Sequence, residues 1–281
     1  MPYHQSESVR EMAKKKTIAP EKKERNRKQA KMRRRTNVLI CLAIVTTICA
    51  AVFIIRVVRH EAALAESVRE LAALPALPRT PSLVWSTVDF YDREMRVINP
   101  DYVGLLRIEG TTISYPVVRG NDNVKYLTTS FGGAENSFGG LFMDYRCAGE
   151  NIPHIIIYGH HARDAHGKSH FFGGLDGFLD EEYRTQHPVI IFIENDHISE
   201  FEIFSARVTD TDDPAYHLNF NATEAFSAFL ERNGAPPDAD QILTLSTCYG
   251  AGDDDRRIVV QGARRSIMPI TENQMMIATY K

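Results

Sequence analysis

Residues 243–248 read Leu-Thr-Leu-Ser-Thr-Cys, and Arg257, nine positions on, opens the run Ile258-Val259-Val260. His160 ends a third run, Ile155-Ile156-Ile157-Tyr158-Gly159, 88 positions before Cys248. A thiol, an imidazole and a guanidinium, each at the edge of an apolar run, are the parts for thiol acyl transfer. The thiolate attacks a carbonyl, the imidazole carries protons, and a fixed cation steadies the oxyanion. Each residue also has a plainer reading. A lone cysteine is among the most often buried residue types, and Arg257 has Asp253, Asp254 and Asp255 nearby as salt-bridge partners. Arg256 competes with Arg257, which is preferred because it directly precedes the apolar run. The histidines His154, His160, His161, His166 and His170 raise a metal site, but their spacing fits no standard zinc pattern and no H-E-x-x-H occurs. No metal and no cofactor are expected.

The elements that must position these groups read mainly as strands. Short β-branched runs separated by turn residues occur at 102–108, 112–118, 140–144, 155–158, 189–193, 200–208, 242–247 and 257–263. Eight such runs predict a mainly β fold, a closed or nearly closed barrel. A helix interrupts them before the cysteine strand. Asn221-Ala222-Thr223-Glu224 resembles a capping sequence, Phe226, Phe229 and Leu230 form an apolar face, and Asn233-Gly234 with Pro236-Pro237 ends it. This inserted helix is expected to pack on the barrel beside the cleft that holds the reacting groups. Helical spacing also covers residues 60–75, followed by a spacer with Pro75, Pro78 and Pro81 and a second helix over 82–99.

The chain of 281 residues has a net charge of −3 that hides an asymmetry. Residues 1–36 carry thirteen Lys/Arg against four Glu, a surplus of nine, so the remainder is −12. Val38–Ile55 then holds eighteen residues without a charge, about 27 Å as a helix, enough to span a hydrocarbon core. Arg33-Arg34-Arg35 before it marks the cytoplasmic side, and Arg56 and Arg59 snorkel at the other. A cleaved signal peptide is disfavoured by the long basic stretch and by the two arginines before Ala63-Leu64-Ala65. Juxtamembrane basic residues need no nucleic-acid partner. The expected organisation is a basic cytoplasmic tail (1–36), a single transmembrane anchor (37–58), a helical stalk (59–98) and an extracellular catalytic domain (99–281). Outside the anchor only Cys147 and Cys248 remain. A lone pair gives no disulfide framework and leaves room for a thiol kept for chemistry.

Tyr158-Gly159-His160, Thr244-Leu245-Ser246-Thr247-Cys248 and Arg257-Ile258-Val259-Val260, in that order, resemble a sortase of the class B type. The likeness extends over residues 99–263 and includes Tyr115-Pro116-Val117-Val118, the stretch 122–127, and Gly140-Leu141-Phe142-Met143-Asp144-Tyr145-Arg146. The resemblance implies a sortase-type eight-stranded barrel, with Cys248 as nucleophile, His160 as proton carrier and Arg257 as oxyanion stabiliser. It further implies that Asn123, Leu127 and Ser246 line the groove for the sorting peptide. Such enzymes cut a C-terminal sorting signal after threonine, hold the acyl group as a thioester, and pass it to an amine of a cell-wall precursor. Partners would be surface proteins bearing that signal, the precursor and the membrane. A pilin-polymerising sortase with a lysine acceptor, or an idle binding module that kept the barrel, are the alternatives. The histidine-rich 161–170 stretch, Gly250 after the cysteine, and Cys147 depart from the family pattern.

Overall fold

A computed structural model describes residues 5–76, 85–149, 152–194, 196–220, 223–249 and 255–270. The chain divides into two compact units, residues 1–59 and 60–281. From Gln5 on, the first belongs to α1 (Gln5–Ala73). Its apolar side chains, Val38, Leu39, Phe53 and Ile54 among them, are exposed, and this helix is long and apolar enough to cross a membrane. Thr46 and Thr47 turn their hydroxyls onto the carbonyl of Ala43, which suits an apolar segment with no water to satisfy them.

The second unit begins with the last turns of α1 and continues through α2 (Trp85–Ile98), β1 (Tyr102–Ile108), β2 (Ser114–Val118), β3 (Leu141–Met143) and β4 (His154–Tyr158). A small hairpin, β5 (His161–Arg163) and β6 (Ser169–Phe171), precedes α3 (Glu181–Gln186). Then come β7 (Val189–Ile193), β8 (His197–Thr209), α4 (Thr223–Asn233), β9 (Ile242–Cys248) and β10 (Arg257–Pro269). Eight strands close into a barrel in the order β1-β2-β3-β4-β9-β10-β8-β7. The pairs β2–β3 and β4–β9 are parallel and the others antiparallel. Each of the eight expected runs is one of these strands. Inside, Leu106, Val117, Leu141, Ile157, Phe192, Phe201, Leu245 and Val260 share one core.

β9 is buried along its length up to Cys248, although its sequence alternates apolar and polar. Its second face is covered by α4, whose Phe229 and Leu230 pack on Ile242 and Ala263. The covered polar groups find partners: His154 pairs with the Thr244 hydroxyl and the His217 carbonyl, at 2.8 and 2.7 Å, and Gln261 donates to Thr244 at 3.2 Å. Buried polar groups persist on these terms. Phe229 packs at the start of β9, and among the described residues no α4 side chain lines the cleft around Cys248, but Phe229 and Arg232 line a neighbouring cavity that shares Thr211 and Tyr216 with it. α4 packs on the barrel beside the cleft, as expected, without lining it. Its capping residues Asn221 and Ala222 lie outside the described residues, as do Pro78, Pro81, Gly250, Asp253 and Asp254.

The compact unit starts at residue 60 rather than 99 because its helices carry core residues. Leu64 and Ser67 of α1 are buried, Asn136 donates to the Ala63 carbonyl at 3.0 Å, and the Gly132 amide donates to Glu70. α2 buries Val88, Tyr91 and Met95 against Tyr102 and Leu105. The segment expected to be a stalk is thus part of the domain from about its first turn.

Candidate active site

Register brings the chemistry together. Because β4 and β9 run parallel with Tyr158 opposite Ser246, both end at the same rim. β10 returns antiparallel, with Arg257 opposite Cys248. His160, Cys248 and Arg257 therefore meet at that rim and line one cavity of about 430 Å³. Asn123, Leu127 and Ser246 line the same cavity. All six side chains singled out in the sequence are in one place.

Local structure explains each position. Cys248 is the exposed last residue of an otherwise buried strand, and Tyr249 closes the turn by donating its amide to the Arg256 carbonyl at 3.0 Å. His160 follows a glycine that must be small, since a Cβ at Gly159 would stand 2.9 Å from the Phe172 ring. The His160 carbonyl accepts from the Phe172 amide at 3.0 Å. Its ring Nε2 lies 2.8 Å from the Leu127 carbonyl. A carbonyl only accepts, so Nε2 carries the hydrogen and Nδ1 is the basic nitrogen of the neutral ring. Arg256, the competing cation, stacks 5.0 Å over Tyr249, whereas Arg257 lines the cavity.

Several lining residues were not foreseen from the sequence: Phe142, Arg146, Tyr158, Thr211 and Tyr216. Tyr216 donates to or accepts from the Ser246 hydroxyl at 2.8 Å. Burial pushes its phenol above the ordinary tyrosine value, while the Ser246 hydrogen bond and the charge of Arg257 pull the other way. It rides on a turn, Pro214–Tyr216, capped by Asp213, which Arg207 grips through two nitrogens at 2.6 and 3.2 Å. The Asp-Pro pair was the available signal, a turn-initiating dipeptide. Ser246 is buried and engaged by Tyr216, and both line the cleft.

Cys147 is buried with its sulfur 3.5 Å from the His154 carbonyl, and burial pushes its thiol up to about 11. It stays a thiol at neutral pH and is no competing nucleophile. The histidine-rich stretch is the β5–β6 hairpin. Asp164 accepts from the amides of His166 and Lys168 and from His170, and His161 faces Asp176 at 3.4 Å. Among the described residues no three His, Cys, Asp or Glu side chains gather as metal ligands.

A family model described as a sortase domain matches residues 106–265. Sortase B of Staphylococcus aureus is 32% identical over 174 residues, 58% of this chain and 70% of that protein. Among solved structures, sortase B from B. anthracis in complex with AAEK1 superposes with a TM-score of 0.61 at 27% identity, over 72% of this chain and 97% of that one. A Staphylococcus aureus sortase B–substrate complex gives a TM-score of 0.57 at 27% identity, over 65% and 87%.

Proposed function

The chain belongs to the sortase family, as a cysteine transpeptidase of the class B type, and from that premise we propose how it works and on what. Cys248 passes its thiol proton to His160 Nδ1 and attacks the threonine carbonyl of a C-terminal sorting signal. Arg257 donates to the oxyanion of the tetrahedral intermediate. His160 gives a proton from Nδ1 to the departing amine, leaving a threonyl thioester on Cys248. An incoming amine of a cell-wall precursor loses its proton to the same nitrogen and releases the acyl group.

One observation carries this reading: a thiol, an imidazole and a guanidinium from three adjacent strand ends line a single cavity. Asn123, Leu127 and Ser246 are proposed to hold the sorting peptide, Ser246 together with Tyr216. That a sortase B of this fold has been solved as a substrate complex supports substrate binding by this fold. The apolar stretch 38–55 anchors the protein once in the cell membrane, with the basic tail cytoplasmic and the barrel outside. A precursor amine is preferred to a pilin lysine because the relatives are sortase B proteins.

The test follows cleavage of a fluorogenic Asn-Pro-x-Thr-Asn or Ser-Pro-x-Thr-Gly peptide, with mass spectrometry of the stalled enzyme. A threonyl adduct on Cys248 is expected. An adduct on Cys147, or cleavage by Cys248→Ala, would overturn the assignment.

A further inference from the structure

Asp144, immediately after β3, is wholly buried, yet it touches three residues that line the cleft. Its carboxylate accepts from Arg146 Nε and Nη2 at 2.9 and 2.8 Å, and from the Arg146 amide at 3.0 Å. It also accepts from Asn123 Nδ2 at 2.9 Å and from the Tyr158 hydroxyl at 3.1 Å. A carboxylate offers about four lone-pair sites, so this one is saturated by donors. Burial opposes its charge, but the hydrogen bonds from Arg146 and Asn123 outweigh burial and hold it ionised below the usual carboxylate range. Burial and the Asp144 charge together raise Tyr158, which therefore stays an O–H donor.

Asn123 is fixed at both ends, because its Oδ1 accepts from the Tyr145 amide at 3.0 Å while its Nδ2 donates to Asp144. The amide cannot turn over without losing both bonds, and one Nδ2 hydrogen remains for another acceptor. Arg146 likewise spends one edge of its guanidinium on Asp144 and keeps donors on the rest, with its side chain 43% exposed.

We infer that Asp144 is a positioning residue: it holds Asn123 and Arg146, with Tyr158 behind them, as a wall of hydrogen-bond donors that receives the backbone carbonyls of the sorting peptide. This rests on the transpeptidase reading above. Asp144 itself touches neither the thiol nor, being buried, the peptide. Its effect reaches catalysis through binding geometry, so its loss falls on KM and spares kcat.

The test uses the full chain in detergent micelles with the fluorogenic peptide. Asp144→Asn keeps the shape and puts an amide nitrogen where donors converge. KM is expected to rise about tenfold or more with kcat within about threefold. The rate of Cys248 alkylation by iodoacetamide should be unchanged. Adding Asn123→Ala to Asp144→Asn should cost less than Asn123→Ala costs alone, because the Asn123 amide has already lost one of its two anchors. A merely structural role would instead lower the alkylatable fraction and kcat and leave KM where it was, and that outcome overturns the inference. So do multiplying effects in the double variant. If Asp144→Asn does not accumulate folded, Arg146→Lys replaces it, since an ammonium cannot make the two-pronged grip. An unmoved KM there is equally fatal. A wild type that forms no adduct on Cys248 would sink the transpeptidase reading, whereas an active wild type with an indifferent Asp144→Asn sinks only this inference.

Discussion

At the scale of single residues, the proposed reacting set is placed by backbone geometry, with Arg257 opposite Cys248 and Tyr158 opposite Ser246. His160 is tied through Nε2 to Leu127 and through its carbonyl to Phe172, leaving Nδ1 for proton transfer. Cys248→Ala and His160→Ala should be nearly inactive in peptide cleavage, and the double variant hardly worse, because nucleophile and proton carrier work as one unit. Arg257→Ala should lose about 10²–10³-fold, mainly in kcat, as for a removed oxyanion donor. Arg257→Lys should recover little, since the ammonium lacks the planar fork. Full activity in Arg257→Ala beside an inactive Arg256→Ala would reverse that assignment. These residues were legible in the sequence because each abuts a strong apolar run. Tyr216 and Asp144 were not. Tyr216 meets Ser246 only across 30 residues of chain, and a charged residue such as Asp144 reads as surface until its partner Arg146 folds over it.

At the scale of elements, the barrel strands were legible because β-branched runs announce themselves, whereas β5 and β6 hide three-residue strands among histidines, arginine and lysine. β10 runs past its expected end at Ala263 because Arg264–Ser266 look like loop. In the fold Arg265 and Ser266 bond Glu200 of β8 across the pair. α4 was visible in the sequence, but that it stands behind Thr211 and Tyr216 instead of lining the cleft depends on which end of β9 it covers. Phe229→Ala should therefore destabilise the domain by about 3–5 kcal/mol, while cleavage kinetics below the unfolding range stay near wild type. A selective loss of cleavage without loss of stability would restore α4 to the peptide groove. His154, beneath the same helix, makes a second prediction. Burial lowers its imidazole to about 4, against the ordinary value near 6.5. Between these values the unfolded chain binds the extra proton, so stability rises with pH across that window and falls on acidification from about 6.5 to about 4. Urea unfolding from pH 4 to 7 should show this slope, and His154→Gln should flatten it.

At the scale of the whole molecule, the apolar exposed stretch and its basic flank argue for one crossing of the membrane. Protease added to intact protoplasts should remove residues after about 60 and spare the basic tail. Digestion confined to the tail would invert the orientation. The candidate span was legible in the composition, since an uncharged run needs no tertiary knowledge. The true start of the folded unit did not show, because Leu64 and Ser67 look like ordinary stalk residues until the barrel covers them.

The parallel pairing of β4 with β9 also has a bearing on time. Parallel neighbours demand a long crossover, here from Tyr158 to Ile242, and closing such a loop costs entropy before any contact repays it. The cysteine strand can dock only after β8 and α4 have been synthesised, and its partner β10 comes later still. A nascent or partly unfolded chain thus carries a thiol, an imidazole and a guanidinium far apart, and none of them is yet a catalyst. The proposed catalytic set is therefore assembled only when this last long-range pairing is made.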